Sequence, residues 1–510
     1  MNMHRRRLIE LGLGGAVAFG TSLKLPARRA HAAPTMVDDA VIDLMVEPVT
    51  LDPANVYDAD GWSIVHSIYD SLVQFNADGE VIPLLATTLV QVDPLTWEVG
   101  LRDDISFHNG EPFDAKSVIF SVAHIVDPET KSQVAWNFSV IKEVEEVEPH
   151  LVRFHLSAPA PWLPSQIAPW LAMLPPVYAA DPANDFASNP VGTGPYKFVS
   201  WDRGVQVVVE ANEAYPSDSP KGVAFAKRAS FRPVPTPSTE VADLLSGSAT
   251  VIRTVPVDQI SAVNDSGASV VSRPLSGVSF IRIPTDQAPF DDPRVRQAMN
   301  YAVDVDGIVA ALLNGQGQRL SGLFPEGGLG YNPDLKPFPF DLATAKALLE
   351  EAGLSKGFET RLAYATSERK DIVEAIAGQL AVIGIMATVE AVEVATFNQT
   401  WKDPESAPLR FVSWRPMFDP FTLLSLMFSA EGFLSRYNDP AAQALINAGA
   451  AEADPAARQA TYQELGQVLR DSPGGIYLYQ LSSFYGVAKD APAWTPRPDD
   501  YIIPTTVLAR

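Results

Sequence analysis

The chain reads as a mixed helix-and-strand protein of two to four domains, and three observations lead there. It is 510 residues long, against roughly 100–200 residues per domain. Short runs of alternating polarity, the mark of half-buried strands, are interleaved with amphipathic stretches bounded by helix caps. The hydrophobic content of 46% is enough for a large core and excludes wholesale disorder.

The elements follow in chain order. Residues 96–101, Thr-Trp-Glu-Val-Gly-Leu, alternate at period two and predict a half-buried strand. Asp114 stands where an N-cap is wanted, ahead of a helix reaching about Ile125. Residues 140–148 and 151–156, separated by Pro149-His150, predict a hairpin. Asp292-Pro293 opens a helix with proline at the first helical position, where its missing N–H costs nothing. Asp341 caps a helix over 342–352 that Gly353 stops, and Pro455 begins another running to about Arg470. Residues 476–479 return as a strand. Domain boundaries are expected in the Pro/Gly/Ser-rich stretches 273–280 and 480–487, while 232–238 reads as a connector inside the first domain.

The first 32 residues read as an export signal. Arg5-Arg6-Arg7 precede a 13-residue uncharged stretch, 11–23, which glycines weaken and which is too short to span a bilayer. Ala30-His31-Ala32 supplies the small residues of a cleavage site. The arginines followed by Leu8-Ile9 fit a twin-arginine signal, and an ordinary secretory signal with a basic start is the alternative. No later uncharged apolar run reaches spanning length. With no cysteine to carry a lipid, the expected product is a periplasmic protein without a membrane anchor, and a monomer.

Charge and composition narrow the function. There are 38 Lys+Arg against 61 Asp+Glu, a formal charge of −23, which argues against a nucleic-acid partner. The absence of cysteine removes disulfides, Cys–zinc sites, iron–sulfur clusters and thiol catalysis. The motifs of the α/β-hydrolase elbow, the phosphate loop, the dinucleotide fold and the zinc proteases are all missing. Gly192-Thr193-Gly194-Pro195 reads as a structural turn, since its proline lacks the N–H an anion cradle needs. His66, His108, His124, His150 and His155 all lie early, so imidazoles from both halves cannot build one metal site. His150 and His155 stand five apart on one expected strand, which sends them to opposite faces. The chain is not expected to be an enzyme, and no cofactor is expected.

An ordered set of segments carries a resemblance. It comprises Thr50-Leu51-Asp52-Pro53, Tyr69-Asp70-Ser71-Leu72-Val73 and the 78–86 stretch Asp-Gly-Glu-Val-Ile-Pro-Leu-Leu-Ala. The most specific piece is 101–113, Leu-Arg-Asp-Asp-Ile-Ser-Phe-His-Asn-Gly-Glu-Pro-Phe. Val191-Gly192-Thr193-Gly194-Pro195-Tyr196, Asp292-Pro293-Arg294-Val295-Arg296-Gln297-Ala298 and the 341–354 helix complete it. Together these resemble the family 5 solute-binding proteins of ABC importers, which bind peptides, nickel chelates, opines and some oligosaccharides. The resemblance implies an α/β, two-lobed periplasmic-binding-protein fold with a hinge and an interlobe ligand cleft. One lobe would take 33–280 and return at 481–510, with 281–480 as the other. It also implies capture of a small-molecule solute and delivery to the transmembrane subunits of an ABC permease served by cytoplasmic ATPases.

The ligand is read from the same resemblance. Peptide-binding members carry an Asp three residues after a Trp that matches Trp414; here that position is Met417. The spacing Trp414-x-x-x-Phe418-Asp419-Pro420 is similar to the nickel-chelate branch instead. That branch's pocket carries over onto Tyr57, Trp62, Trp136, Trp414 and Phe418, while its two chelate-gripping arginines fall on Gln133 and Trp170. The implied pocket is aromatic, with Arg415 either clamping a carboxylate or lying at the surface. Each aromatic either touches ligand or belongs to the core. Asp419 is expected to cap or shape its loop. A peptide or amino-acid-derived compound such as an opine is the first expectation, an oligosaccharide or metal chelate the second. An exported hydrolase is the alternative of a different class.

Overall fold

The computed structural model describes residues 36–506; the expected export signal lies outside them. The described residues open with β1 (Val37–Leu44) and a small ribbon of β2 (Val73–Phe75) and β3 (Val81–Pro83). Four antiparallel strands follow, β4 (Ala86–Asp93), β5 (Thr96–Leu101), β6 (Ile141–Glu148) and β7 (Leu151–Leu156), in the order β4-β5-β7-β6. Strands β8 (Tyr196–Asp202), β9 (Gln206–Ala211), β10 (Ala226–Pro233), β11 (Val251–Ile252) and β12 (Ser269–Pro274) then join β1 in a first large sheet.

A second large sheet takes over at β13 (Val278–Arg282) and continues through β14 (Gln318–Arg319), β15 (Phe358–Ala365), β16 (Ile385–Val392), β17 (Leu409–Trp414) and β18 (Gly475–Gln480). Finally β19 (Ser482–Val487) returns to the first sheet, between β12 and β11. The chain therefore passes between the large sheets at 275–277 and again at Leu481. The stretches where domain boundaries are expected are mostly strand here. Only a few residues of each are free of the ladders, and they are bonded to one another: Leu275 N donates to Leu481 O at 2.8 Å, and Gln480 Nε2 donates to Leu275 O at 2.9 Å.

Local chemistry explains the elements. Asp114 accepts from Lys116 N and forms a capping box with Ser117 at the start of Ala115–Val126. Asp292, Asp341 and Asp454 cap Pro293–Ala302, Leu342–Glu351 and Pro455–Asp471 in the same way. Gly353, at φ +75°, ends the second of these. His150 departs from expectation. It sits in the turn of the hairpin, where backbone geometry needs two residues, so only His155 is on a strand, bonded to Glu145 at 2.8 Å.

Burial follows period two in the second sheet. Leu409 and Phe411 of β17 face one apolar cluster, while Val412 and Trp414 face another. In the first half, the Gly192–Gly194 turn packs so tightly under the end of Ala59–Ile68 that a Cβ on Gly192 would lie 2.1 Å from Ile68 O. The backbone of Gly194 donates to that carbonyl at 2.8 Å. Beside it Lys221, fully buried, donates to His66 O and Tyr69 O at 2.8 Å each and pairs with Asp70. The motif is a turn locked by packing, as its sequence implies.

Candidate ligand-binding site

Strands β15 and β17 run parallel, and Trp414, the last residue of β17, is registered against Val278, the first of β13. The C-terminal ends of β15 and β17 therefore lie at the edge of the second sheet where the chain crosses to the first. The loops 366–369 and 415–419 leave that edge, and the second reaches the other half of the protein through Phe418.

The 415–419 loop is held at both ends. Met417 N donates to Ser276 O at 2.6 Å, and Ser276 Oγ donates to Met417 O, which ties the loop to the first crossing. A Cβ on Gly277 would stand 2.6 Å from Trp414 O, so only glycine allows the crossing to pass so close. At the far end Asp419 accepts from Phe421 N at 2.9 Å and caps the short helix Pro420–Leu423. Its carboxylate also takes two hydrogen bonds from Arg458, at 2.6 and 2.8 Å, with both side chains buried. Asp419 is thus a shaping residue, as its place beside Pro420 implies.

Aromatic rings from this loop reach the first half. Phe418 stacks on Phe75, with centroids 5.0 Å apart, and meets Trp170 edge-on at 5.8 Å. Phe421 stacks on Trp162 at 4.1 Å. Trp170 in turn meets Trp62 edge-on at 5.3 Å. Trp62 is the most deeply buried of the expected site residues. It is wholly buried, its Nε1 donates to Val56 O at 3.0 Å, and Tyr501 stacks on its other side. Within the first half Trp62 backs Trp170.

The other expected residues are accessible to different degrees. Trp414 is half-buried and packs on its own half, while its Nε1 is buried without a hydrogen-bond partner. Arg415 and Gln133 are exposed. Trp136 is 39% exposed and Tyr57 62% exposed. Ser132 Oγ donates to Ala54 O at 2.6 Å, which sets the segment carrying Gln133 and Trp136 beside the one carrying Tyr57. Surrounding protein desolvates the Tyr57 phenol and raises its pKa although its ring is open to water. The expected residues thus fall into two groups: Trp170 with Phe418, where the halves meet, and Tyr57, Gln133 and Trp136 on the first half.

Sequence reasoning missed Phe75, Trp162 and Phe421, the rings that complete the contact between the halves. Phe421 stands three residues past Phe418 at the start of a helix, a spacing that could have drawn attention to it. Nothing local distinguishes Phe75 or Trp162 from core aromatics. Sequence reasoning also missed Glu368 in the 366–369 loop, whose carboxylate accepts from Ser413 Oγ at 3.0 Å. A groove of about 830 Å³ lies elsewhere: its walls include Glu359, Arg361, Met386 and Thr388, at the opposite ends of β15 and β16. Among the described residues, no group of three or more His, Asp or Glu side chains is placed to hold a metal ion, and no helix is long and apolar enough to cross a membrane.

Residues 80–434 match the family described as bacterial extracellular solute-binding proteins, family 5. The chain is 30% identical over 383 residues to the glutathione-binding protein GsiB of Pectobacterium atrosepticum, covering 74% of this chain and 73% of that one. It is 26% identical over 490 residues to the probable D,D-dipeptide-binding periplasmic protein DdpA of Escherichia coli K12, covering 92% and 93%. Among solved structures it is similar to HbpA2 of Haemophilus parasuis, with a TM-score of 0.80 and 27% identity over 91% of this chain and 98% of that one.

Proposed function

We propose, from the premise that this chain belongs to the bacterial extracellular solute-binding proteins of family 5, that its solute is a peptide or another amino-acid-derived compound such as an opine. The broader role is that of the family. The protein is the periplasmic substrate-binding component of an ABC importer, with a two-lobed α/β fold. It captures a small organic solute and serves the permease and its ATPases.

The lobes are taken as 33–280 with 481–510, and 281–480, and the hinge as the paired crossings around Leu275 and Leu481. A solute held by both lobes stabilises the closed form by its higher affinity for that state. The walls are Phe418 and Trp170 at the contact between lobes, with Tyr57, Trp136 and Gln133 on the first lobe and Trp414 and Arg415 on the second. Aromatic faces of this kind pack apolar side chains and planar peptide groups, and an exposed guanidinium suits a carboxylate.

The observation that carries the reading is the aromatic contact of Phe418 with Phe75 and Trp170, at the sheet edge where the chain crosses between halves. The names of the relatives favour the peptide class: glutathione for one, a D,D-dipeptide for the other. A thermal-shift panel of short peptides, glutathione, opines, oligosaccharides and nickel chelates tests it. Stabilisation by peptides or opines is the expected result. Stabilisation by sugars or chelates alone would replace the solute class and leave the transport role standing. Trp414→Ala should abolish the shift without unfolding the chain; unchanged binding would remove Trp414 from the site.

A further inference from the structure

Glu368 is an acidic side chain at the site edge with no cation bound to it. It lies three residues beyond Ala365, the end of β15, and its backbone N donates to Ala365 O at 2.8 Å, which turns the loop at that edge. One carboxylate oxygen, Oε2, accepts from Ser413 Oγ at 3.0 Å, and Ser413 Oγ lies 3.3 Å from Ser279 Oγ. Among the described residues, none donates a hydrogen bond to the other oxygen. Among the described residues, none forms an ion pair with Glu368. Its neighbour Arg369 is turned away, bonded to Asp371 and to Leu312 O. Arg415 acts on it only from beyond contact range, lowering its pKa.

The surroundings are costly for an anion. Glu368 is only partly exposed, and burial is the dominant influence on its carboxyl, outweighing both Ser413 and Arg415 and raising its pKa. Desolvation without a paired cation leaves an electrostatic deficit that an incoming cation would relieve. Three buried acids of this protein have their own cation: Asp419 has Arg458, Asp70 has Lys221, and Asp43 has Arg232. Glu368 differs from them at the edge where solute is expected.

We infer that Glu368 anchors the positively charged amino group of the solute, with Arg415 beside it to take a carboxylate of the same molecule. The inference rests on the amino-acid-derived reading above and deepens it, because it requires a free ammonium group. Ser413, fixed on β17, positions the carboxylate. Its hydroxyl occupies one oxygen and leaves the other to accept from a solute ammonium.

The test uses the full-length exported protein with three probes, Ala-Ala, D-Ala-D-Ala and glutathione, each also as its N-acetyl derivative, and reads affinity by calorimetry. The expected result is binding of at least one free-amine probe with no binding of its N-acetyl form. Glu368→Gln should weaken that probe by roughly tenfold or more, the scale of a charge-assisted hydrogen bond, while Glu368→Asp retains part of the affinity. Equal binding of free and acetylated forms, or unchanged affinity in Glu368→Gln, overturns the role of Glu368 and leaves the peptide class intact. Failure of every free-amine probe to bind the unmutated protein overturns the amino-acid-derived reading and this inference with it. The acetylation comparison needs no variant, so poor folding of Glu368→Gln does not obscure the answer.

Discussion

Phe421 lies flat on Trp162, with ring centroids 4.1 Å apart and planes 10° from parallel. One ring comes from the half built on the second sheet, the other from the half built on the first. With Phe418 lodged between Phe75 and Trp170, this stack joins the halves by apolar contact. Stacked aromatic pairs contribute about 0.5–1.5 kcal/mol beyond their burial. Phe421→Ala should therefore loosen the contact and quicken solute release by roughly two- to tenfold. Stopped-flow dissociation together with small-angle scattering would measure it. Unchanged release and an unchanged radius of gyration would show that the stack does not hold the halves together.

Asp419 and Arg458 form a buried pair whose partners are far apart in sequence. Removing the acid leaves a guanidinium buried without its counter-charge, which typically costs about 3–5 kcal/mol. Asp419→Ala also removes the cap of Pro420–Leu423. Urea unfolding should show a loss of this size, with solute affinity falling too because the 415–419 loop loses its far anchor. A loss below about 1 kcal/mol would contradict the pairing.

Two glycine-to-alanine changes should have opposite signs. At Gly192 the new methyl would meet the Ile68 carbonyl at 2.1 Å, and backbone cannot step aside as a side chain can. A loss of about 3 kcal/mol or more is expected. At Gly378, within Lys370–Val382 and exposed, nothing lies within 4 Å of the added carbon. There the better helix propensity of alanine should stabilise the protein by about 0.5–1 kcal/mol. Thermal unfolding of the two variants side by side decides it; shifts of the same sign would count against the packing described here.

Glu240 is fully buried, and burial pushes its carboxyl from 4.5 up to about 8. Arg253 N donates to one oxygen at 3.1 Å and the other is unpartnered. The folded protein binds this proton more tightly than the unfolded chain does. Its contribution is therefore fully present below pH 4.5 and is lost as pH rises through about 8. Glu240→Gln cannot ionise, so its stability relative to the parent should rise between about pH 5 and about pH 9. Urea denaturation at both values measures the difference; a pH-independent difference would mean that Glu240 is already ionised in the folded state.

Short-range chemistry was open to reading before any coordinates. Asp114 with Ser117, Asp292 with Pro293 and Asp341 ahead of its helix each bond within three residues of themselves, so their roles are contained in neighbouring letters. The hairpin of β6 and β7 is equally local. Trp62 shows the limit. Its neighbours Trp170 and Tyr501 lie far along the chain, and no pattern around residue 62 tells a core tryptophan from one facing solute. Glu368 was missed for the same reason, since only the parallel pairing of β15 with β17 brings Ser413 to it.

The sequence by itself determined that the chain is a mixed α/β protein, that its glycine-rich motif is a turn and that it carries the marks of a solute-binding family. These depend on helix caps, residue periodicity and contiguous motifs, all of them properties of short segments. Tertiary structure alone decided which aromatics face the contact between halves, that Asp419 is held by Arg458, and that Glu368 is left without a counter-ion. The first of these depends on the two crossings at 275–277 and Leu481, and the other two on pairings within the second half. The crossings bring segments more than a hundred residues apart to one edge, and whether a side chain is then buried, paired or exposed depends on what arrives beside it.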